Sequence, residues 1–192
     1  EASYREDASL ISALEGAGYV QLDLDGDGNG TSTAGSAAFD AWTTVAGNQT
    51  VAVIAFRGTD DIDYSTDGLT AYLGSADAAY WFDTVGYYDQ LSAKTAAFDA
   101  AVDSLGISQV YVTGHSLGGA AAQAYMAAHP DDADTRYAAV VFGSMGLSGG
   151  DAGSAPDARV GNFVAPSAYS TQLRTQTARL TLHTFWRLED HD

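Results

Sequence analysis

The chain contains no cysteine, which excludes disulfides and thiolate chemistry and leaves the redox compartment unread. Basic residues are scarce: 8 Lys and Arg stand against 25 Asp and Glu, for a formal net charge of -17 and a pI near 4.1. A nucleic-acid surface needs clustered Lys and Arg, so that partner class is excluded. The acidity suits solubility, cation binding or a salty medium and says little about fold. Long hydrophobic runs are missing as well. Nothing approaches the ~18 consecutive apolar residues of a membrane span, and no basic stretch followed by an apolar core marks a signal peptide. The sequence opens at Glu1 rather than Met, from which a processed or trimmed form is expected, and the expected location is extracellular.

What is present is an ordinary globular composition, 46% hydrophobic over 192 residues. That is enough for one substantial core and short for two, so a single domain spanning 1–192 is expected. "SLISALEGAGYVQL" reads as a short helix ended by Gly16 and Gly18, followed by an extended run. "DLDGDGNGTSTAGS" reads as a loop rich in Gly, Asp and hydroxyl residues. "FDAWTTV" and "TVAVIAF" read as a strand hairpin about Gly47 and Asn48, the second strand apolar enough to be buried on both faces. Arg57 to Tyr88 is an irregular aromatic connection, long enough for a lid or binding loop. Leu91, Thr95, Phe98, Val102 and Leu105 then fall at helical spacing, and Gly106 closes that helix. "SQVYVTG" and "YAAVVFGS" read as buried strands on either side of a helix, "AAAQAYMAAH", that Pro130 stops; "ARLTLHTFWRLED" reads as a last extended run. Strands alternating with helices predict an α/β fold with a mainly parallel central sheet and helices on both faces.

The strand "VYVT" gives way to the alanine-rich helix through Gly114-His115-Ser116-Leu117-Gly118. A serine nucleophile on a strand-to-helix corner needs small flanking residues, because the turn is strained and the helix must approach the sheet closely. Gly114 and Gly118 meet that demand, and Gly119 and Ala120 to Ala122 extend the small surface. Ser116 is therefore the candidate nucleophile.

With "AVIAFRGTDD" upstream and "VVFGS" downstream, in matching order, the chain resembles the class 3 lipase family, the fungal-lipase-like branch of the α/β-hydrolases, from about Ala17 onward. The resemblance implies an α/β-hydrolase fold and a serine carboxylester hydrolase. It implies that Thr59 and the backbone N–H of Leu117 form the oxyanion hole. Arg57 reads as an orienting or ion-pairing residue, with Asp60 as its partner. The order Ser, Asp, His places the acid after the last strand, which favours Asp192, with Asp190 second. No histidine matches the family's base. His115 is the corner's variable position and His129 closes a helix; His183 and His191 have the wrong place in the order. The base is expected in a C-terminal segment past Asp192.

Asp23, Asp25, Asp27, Gly28 and Asn29 reproduce half of a calcium loop of alternating oxygen ligands, yet the closing Glu is missing and Ala34 stands in its place. A structural calcium on Asp23, Asp25, Asp27 and Asn29 and a solvated hairpin tip are both open. The resemblance also places a lid between Thr59 and Tyr88, in which Leu69, Tyr72, Leu73, Tyr80, Trp81 and Phe82 face an acyl chain or lipid surface, with burial in the core as the alternative for Trp81 and Phe82. The implied activity is acylglycerol lipase, with phospholipase A1 and feruloyl-type esterase behind it. The implied partner is a lipid or other ester substrate, and the ester chemistry requires no cofactor. The rival from another class is a noncatalytic calcium-dependent lipid- or surface-binding module with an incomplete triad.

Overall fold

A computed structural model describes residues 8–59, 76–148 and 157–164. Helix α1 (Ala8–Gly16) leads to a short strand β1 (Val20–Gln21), then β2 (Thr31–Ala34), β3 (Ala37–Ala46) and β4 (Gln49–Phe56). A 3-10 turn (Ala76–Tyr80), α2 (Thr84–Asp89) and α3 (Ser92–Ser104) precede β5 (Gln109–His115), α4 (Leu117–Ala128), β6 (Arg136–Phe142) and β7 (Val160–Phe163).

All the described strands belong to one mixed sheet, in the order β1-β3-β4-β5-β6-β7, with β2 also paired to β3. Pairings within β1 to β4 are antiparallel, and those from β4 through β7 are parallel. The β3–β4 hairpin turns at Gly47 and Asn48, where Gly47 has a φ of 65° that an L side chain rarely adopts. Strand β2 arises in a stretch that composition reads as loop. Its residues are small or hydroxylated, and Thr31 earns a buried place by donating its hydroxyl to the buried Asp40 carboxylate at 2.7 Å.

The architecture is α/β, with the main core on one face of the sheet, while Ala38, Asp40 and Trp42 of β3 are buried on the other. Ile54, Phe56, Val110, Val112, Ala139 and Val141 alternate inward and meet Tyr87 of α2, Phe98 and Val102 of α3, and Leu117, Ala121 and Tyr125 of α4. Phe39, Phe56, Phe98 and Tyr125 form a run of ring contacts with centroids 5.6–6.5 Å apart. The outward positions Tyr111, Val140 and Phe142 are exposed. Helices α2, α3 and α4 share this core, and β5 and β6 are buried on one side rather than two. Helix α4 lies close because Gly118, Gly119 and Ala120 to Ala122 keep its first turn free of bulky side chains, and all five are buried.

Among the described residues no helix is long and apolar enough to cross a membrane.

Candidate active site

Phe56 at the end of β4 is paired with Gly114 near the end of β5, so residues 57–59 and 115–117 leave the sheet side by side. Ser116 has φ 56° and ψ -121° and is the one non-glycine residue with positive φ among the described residues. Such a conformation costs about 1–3 kcal/mol and persists only where the surroundings impose it. Here they do. The Ser116 amide donates to the Phe142 carbonyl at 2.9 Å, extending the β5–β6 ladder to the corner itself. A Cβ on Gly114 would strike the carbonyl of Gly118, and one on Gly118 would strike the carbonyl of Phe56 and the backbone of Arg57. One on Gly119 would sit 2.8 Å from the Cβ of Ser144. The chain can turn this sharply only because these three positions lack side chains.

Leu117, with its side chain fully buried, opens α4. The first amides of a helix have no intrahelical acceptor and carry the positive end of its dipole. Thr59 is buried on the neighbouring exit. Its hydroxyl oxygen accepts from the indole N–H of Trp81 at 3.2 Å, while the hydroxyl of the fully buried Tyr87 donates to the carbonyl of Arg57 at 2.9 Å. Thr84, also fully buried, donates to the Gly146 carbonyl at 3.1 Å and accepts from the Ser148 amide at 2.8 Å. Residues 81–87 therefore tie together the segments that follow β4 and β6, on either side of the Ser116 corner. The aromatic richness of this stretch was legible in sequence, but not which ring turns inward. Trp81 is half-buried against the core, whereas Phe82 is 83% exposed and is not a core residue.

His115 is exposed and sits beside Gly143, its Nε2 lying 3.7 Å from where a Cβ on that glycine would be. His129 caps the opposite end of α4, about 18 Å from the corner at 1.5 Å rise per residue. Its Nδ1 lies 2.7 Å from the Tyr125 carbonyl and its Nε2 lies 3.0 Å from Asp99, a residue of α3, and the ring stacks on Tyr125 at 3.8 Å. It is a structural histidine, and Asp99 was not foreseen as its partner. Burial opposes its charge, but the hydrogen bonds to Asp99 and to the Tyr125 carbonyl outweigh that and raise its pKa above the ordinary value. Asp60, Leu69, Tyr72, Leu73, His183, Asp190, His191 and Asp192 lie outside the described residues.

In the aspartate loop, Asp23, Asp25 and Asp27 are exposed, with carboxylate oxygens within 4.8 Å of one another. Each is engaged. Asp23 accepts from the amides of Gly26 and Gly28, and Asp27 accepts from the amide and side-chain nitrogens of Asn29. Asn29 in turn accepts from the Thr31 amide. Asp25 is paired with the Lys94 ammonium at 2.7 Å, whose hydrogen bond holds that carboxyl below the usual carboxylate range. An ion gathered here would compete with Lys94, so this donor set does not by itself establish a calcium site.

The chain matches no protein-family model, no curated protein and no solved structure.

Proposed function

We propose that the chain is a serine carboxylester hydrolase of α/β-hydrolase type, similar to class 3 lipases and acting on acylglycerol esters. The observation that carries this reading is the backbone of Ser116, held at positive φ between two glycines whose Cβ positions are filled by neighbouring backbone. A strained serine between a parallel strand and a helix N-terminus is the geometry of a nucleophile elbow, which exposes the hydroxyl at the end of the sheet. In this reading the Ser116 Oγ attacks the ester carbonyl carbon as a histidine takes its proton, and the carbonyl electron pair moves onto oxygen. The Leu117 amide and Thr59 stabilise that oxyanion. Collapse expels the alcohol, protonated by the same histidine, and water then releases the acyl group from Ser116. Asp192 orients that histidine. Phospholipase A1 and feruloyl-type esterase differ from this only in the pocket that receives the acyl and head groups. Structural calcium on the aspartate loop and an extracellular location are separate proposals.

The rival reading, a calcium-dependent binding module without catalysis, is favoured by one observation: His129 is committed to Asp99 at the wrong end of α4. Intact-mass measurement after exposure to a fluorophosphonate separates the two. The 192-residue chain, its Ser116→Ala form and a form extended past Asp192 are compared. Labelling that is lost in Ser116→Ala supports the hydrolase, and labelling of the extended form alone assigns the base to the added residues. Absence of labelling in every form overturns the hydrolase.

A further inference from the structure

We propose that Trp81 is a positioning residue that sets the direction of the Thr59 hydroxyl. The inference rests on the reading of Ser116 as nucleophile and Thr59 as oxyanion donor, and it adds a residue to that site which no motif identifies.

A threonine hydroxyl has one proton to give and two lone pairs that accept. Left to itself it rotates, and its proton satisfies whichever acceptor is nearest. In this structure the Trp81 indole, which can only donate, occupies one lone-pair direction of the Thr59 oxygen at 3.2 Å. The Thr59 proton is thereby directed away from Trp81 and stays available to a second acceptor. A hydroxyl that already accepts a hydrogen bond is also a stronger donor, since successive bonds polarise one another.

The frame around the pair restricts both partners. Thr59 is buried, and the Tyr87 hydroxyl pins the carbonyl of Arg57 two residues before it. On the other side, the Trp81 amide donates to Ala78 at 3.3 Å, and Asp83 caps α2 by accepting from the Gly86 amide. The hydrogen bonds of Thr84 to Gly146 and Ser148 anchor the same segment to the loop after β6. Because Gly118 abuts the backbone of Phe56 and Arg57, this exit is also the one against which the start of α4 is packed. Trp81 thus acts on the oxyanion position through Thr59 and needs no contact with substrate.

The test is a double-mutant cycle on the form of the chain that the fluorophosphonate labels, with Trp81→Phe, Thr59→Val and their combination, and with Thr59→Ser as the conservative variant. Hydrolysis of a soluble p-nitrophenyl ester and the rate of Ser116 labelling by a fluorophosphonate are read for each. Thr59→Val removes one oxyanion donor and is expected to lower kcat by ~100-fold. Trp81→Phe keeps the ring and is expected to lower kcat by ~10-fold with KM nearly unchanged, since orientation of a donor matters in the transition state. In the Thr59→Val background Trp81→Phe is expected to cost nothing further, and in the Thr59→Ser background its cost is expected to persist. A Trp81→Phe cost that is equal with and without the Thr59 hydroxyl overturns the inference and leaves the nucleophile standing. Absence of labelling in every form of the parent chain overturns both. Should Trp81→Phe fold poorly, the indole N–H resonance of Trp81 in nitrogen-15-labelled parent and Thr59→Val proteins decides. An unmoved resonance overturns the bond on which the inference depends.

Discussion

Gly118 lies against Phe56 so closely that a methyl group on the glycine would overlap the phenylalanine's carbonyl oxygen. The colliding atoms are backbone of β4, which is paired on both sides, and backbone cannot step aside as the end of a side chain can. Gly118→Ala and Gly114→Ala are expected to destabilise by more than ~3 kcal/mol each, read as a fall in the denaturant midpoint. Gly16, at the end of α1, meets nothing within 4 Å. Gly16→Ala is expected to be neutral or to gain ~0.5 kcal/mol by restricting the unfolded chain.

Ser116 holds positive φ without the freedom of glycine. Ser116→Gly is expected to be more stable than Ser116→Ala by ~1 kcal/mol, because glycine relieves the strain and alanine retains it. Equal thermal midpoints for the two variants would remove strain from the account of this corner.

Both ring nitrogens of His129 face acceptors, the Tyr125 carbonyl and the Asp99 carboxylate. A neutral imidazole has a single N–H and can satisfy one of them, so the site favours the doubly protonated ring. The pKa is raised in the folded state. The stabilisation is therefore fully present below the unfolded value and is lost as pH rises through the folded one. Between about pH 6 and about pH 9 the thermal midpoint is expected to fall more in the parent chain than in Asp99→Asn, which lacks the carboxylate. Parallel pH profiles would sink this account.

Arg159 donates to the carbonyls of Met126 and His129 at 2.8 Å each while pairing with Asp157 at 2.6 Å and Asp131 at 3.1 Å. It closes the C-terminal end of α4, where the helix dipole favours a cation. Arg159→Met is expected to cost ~2 kcal/mol, since the carbonyls and carboxylates lose a charged donor together. Urea unfolding of the two proteins measures it.

Lys94 supplies the cation at Asp25. With calcium on the loop, as proposed, chelation of divalent ions is expected to lower the thermal midpoint, and Lys94→Met is expected to enlarge that fall by freeing Asp25. A parent midpoint unmoved by chelation would instead leave Lys94 as the cation at Asp25.

The serine corner, the β3–β4 hairpin and the helix closed by Gly106 could be read from sequence because each depends on local chemistry: glycines where the backbone needs them and apolar residues at a helical or alternating period. Four things could not be read that way. Strands β5 and β6 are apolar on both faces, and periodicity alone does not say that only one face is covered. Strand β2 has no apolar alternation, since Thr31 is buried through its bond to Asp40. The pairs Trp81 with Thr59 and His129 with Asp99 join residues 22 and 30 positions apart, which only the folded topology brings together. Strand β7 escaped notice because four residues, Val160 to Phe163, are too few to show a pattern.

In the parallel half of the sheet, the order of strands across the sheet is their order along the chain. Strand β5 is enclosed by β4 and β6, so its amides can exchange with solvent only after a neighbour has detached, whereas the outer strands can open on their own. Ser116 hangs from the end of that enclosed strand. The one non-glycine residue at positive φ among those described is thereby fastened to one of the last parts to loosen, and local breathing at the sheet's margins leaves its geometry intact.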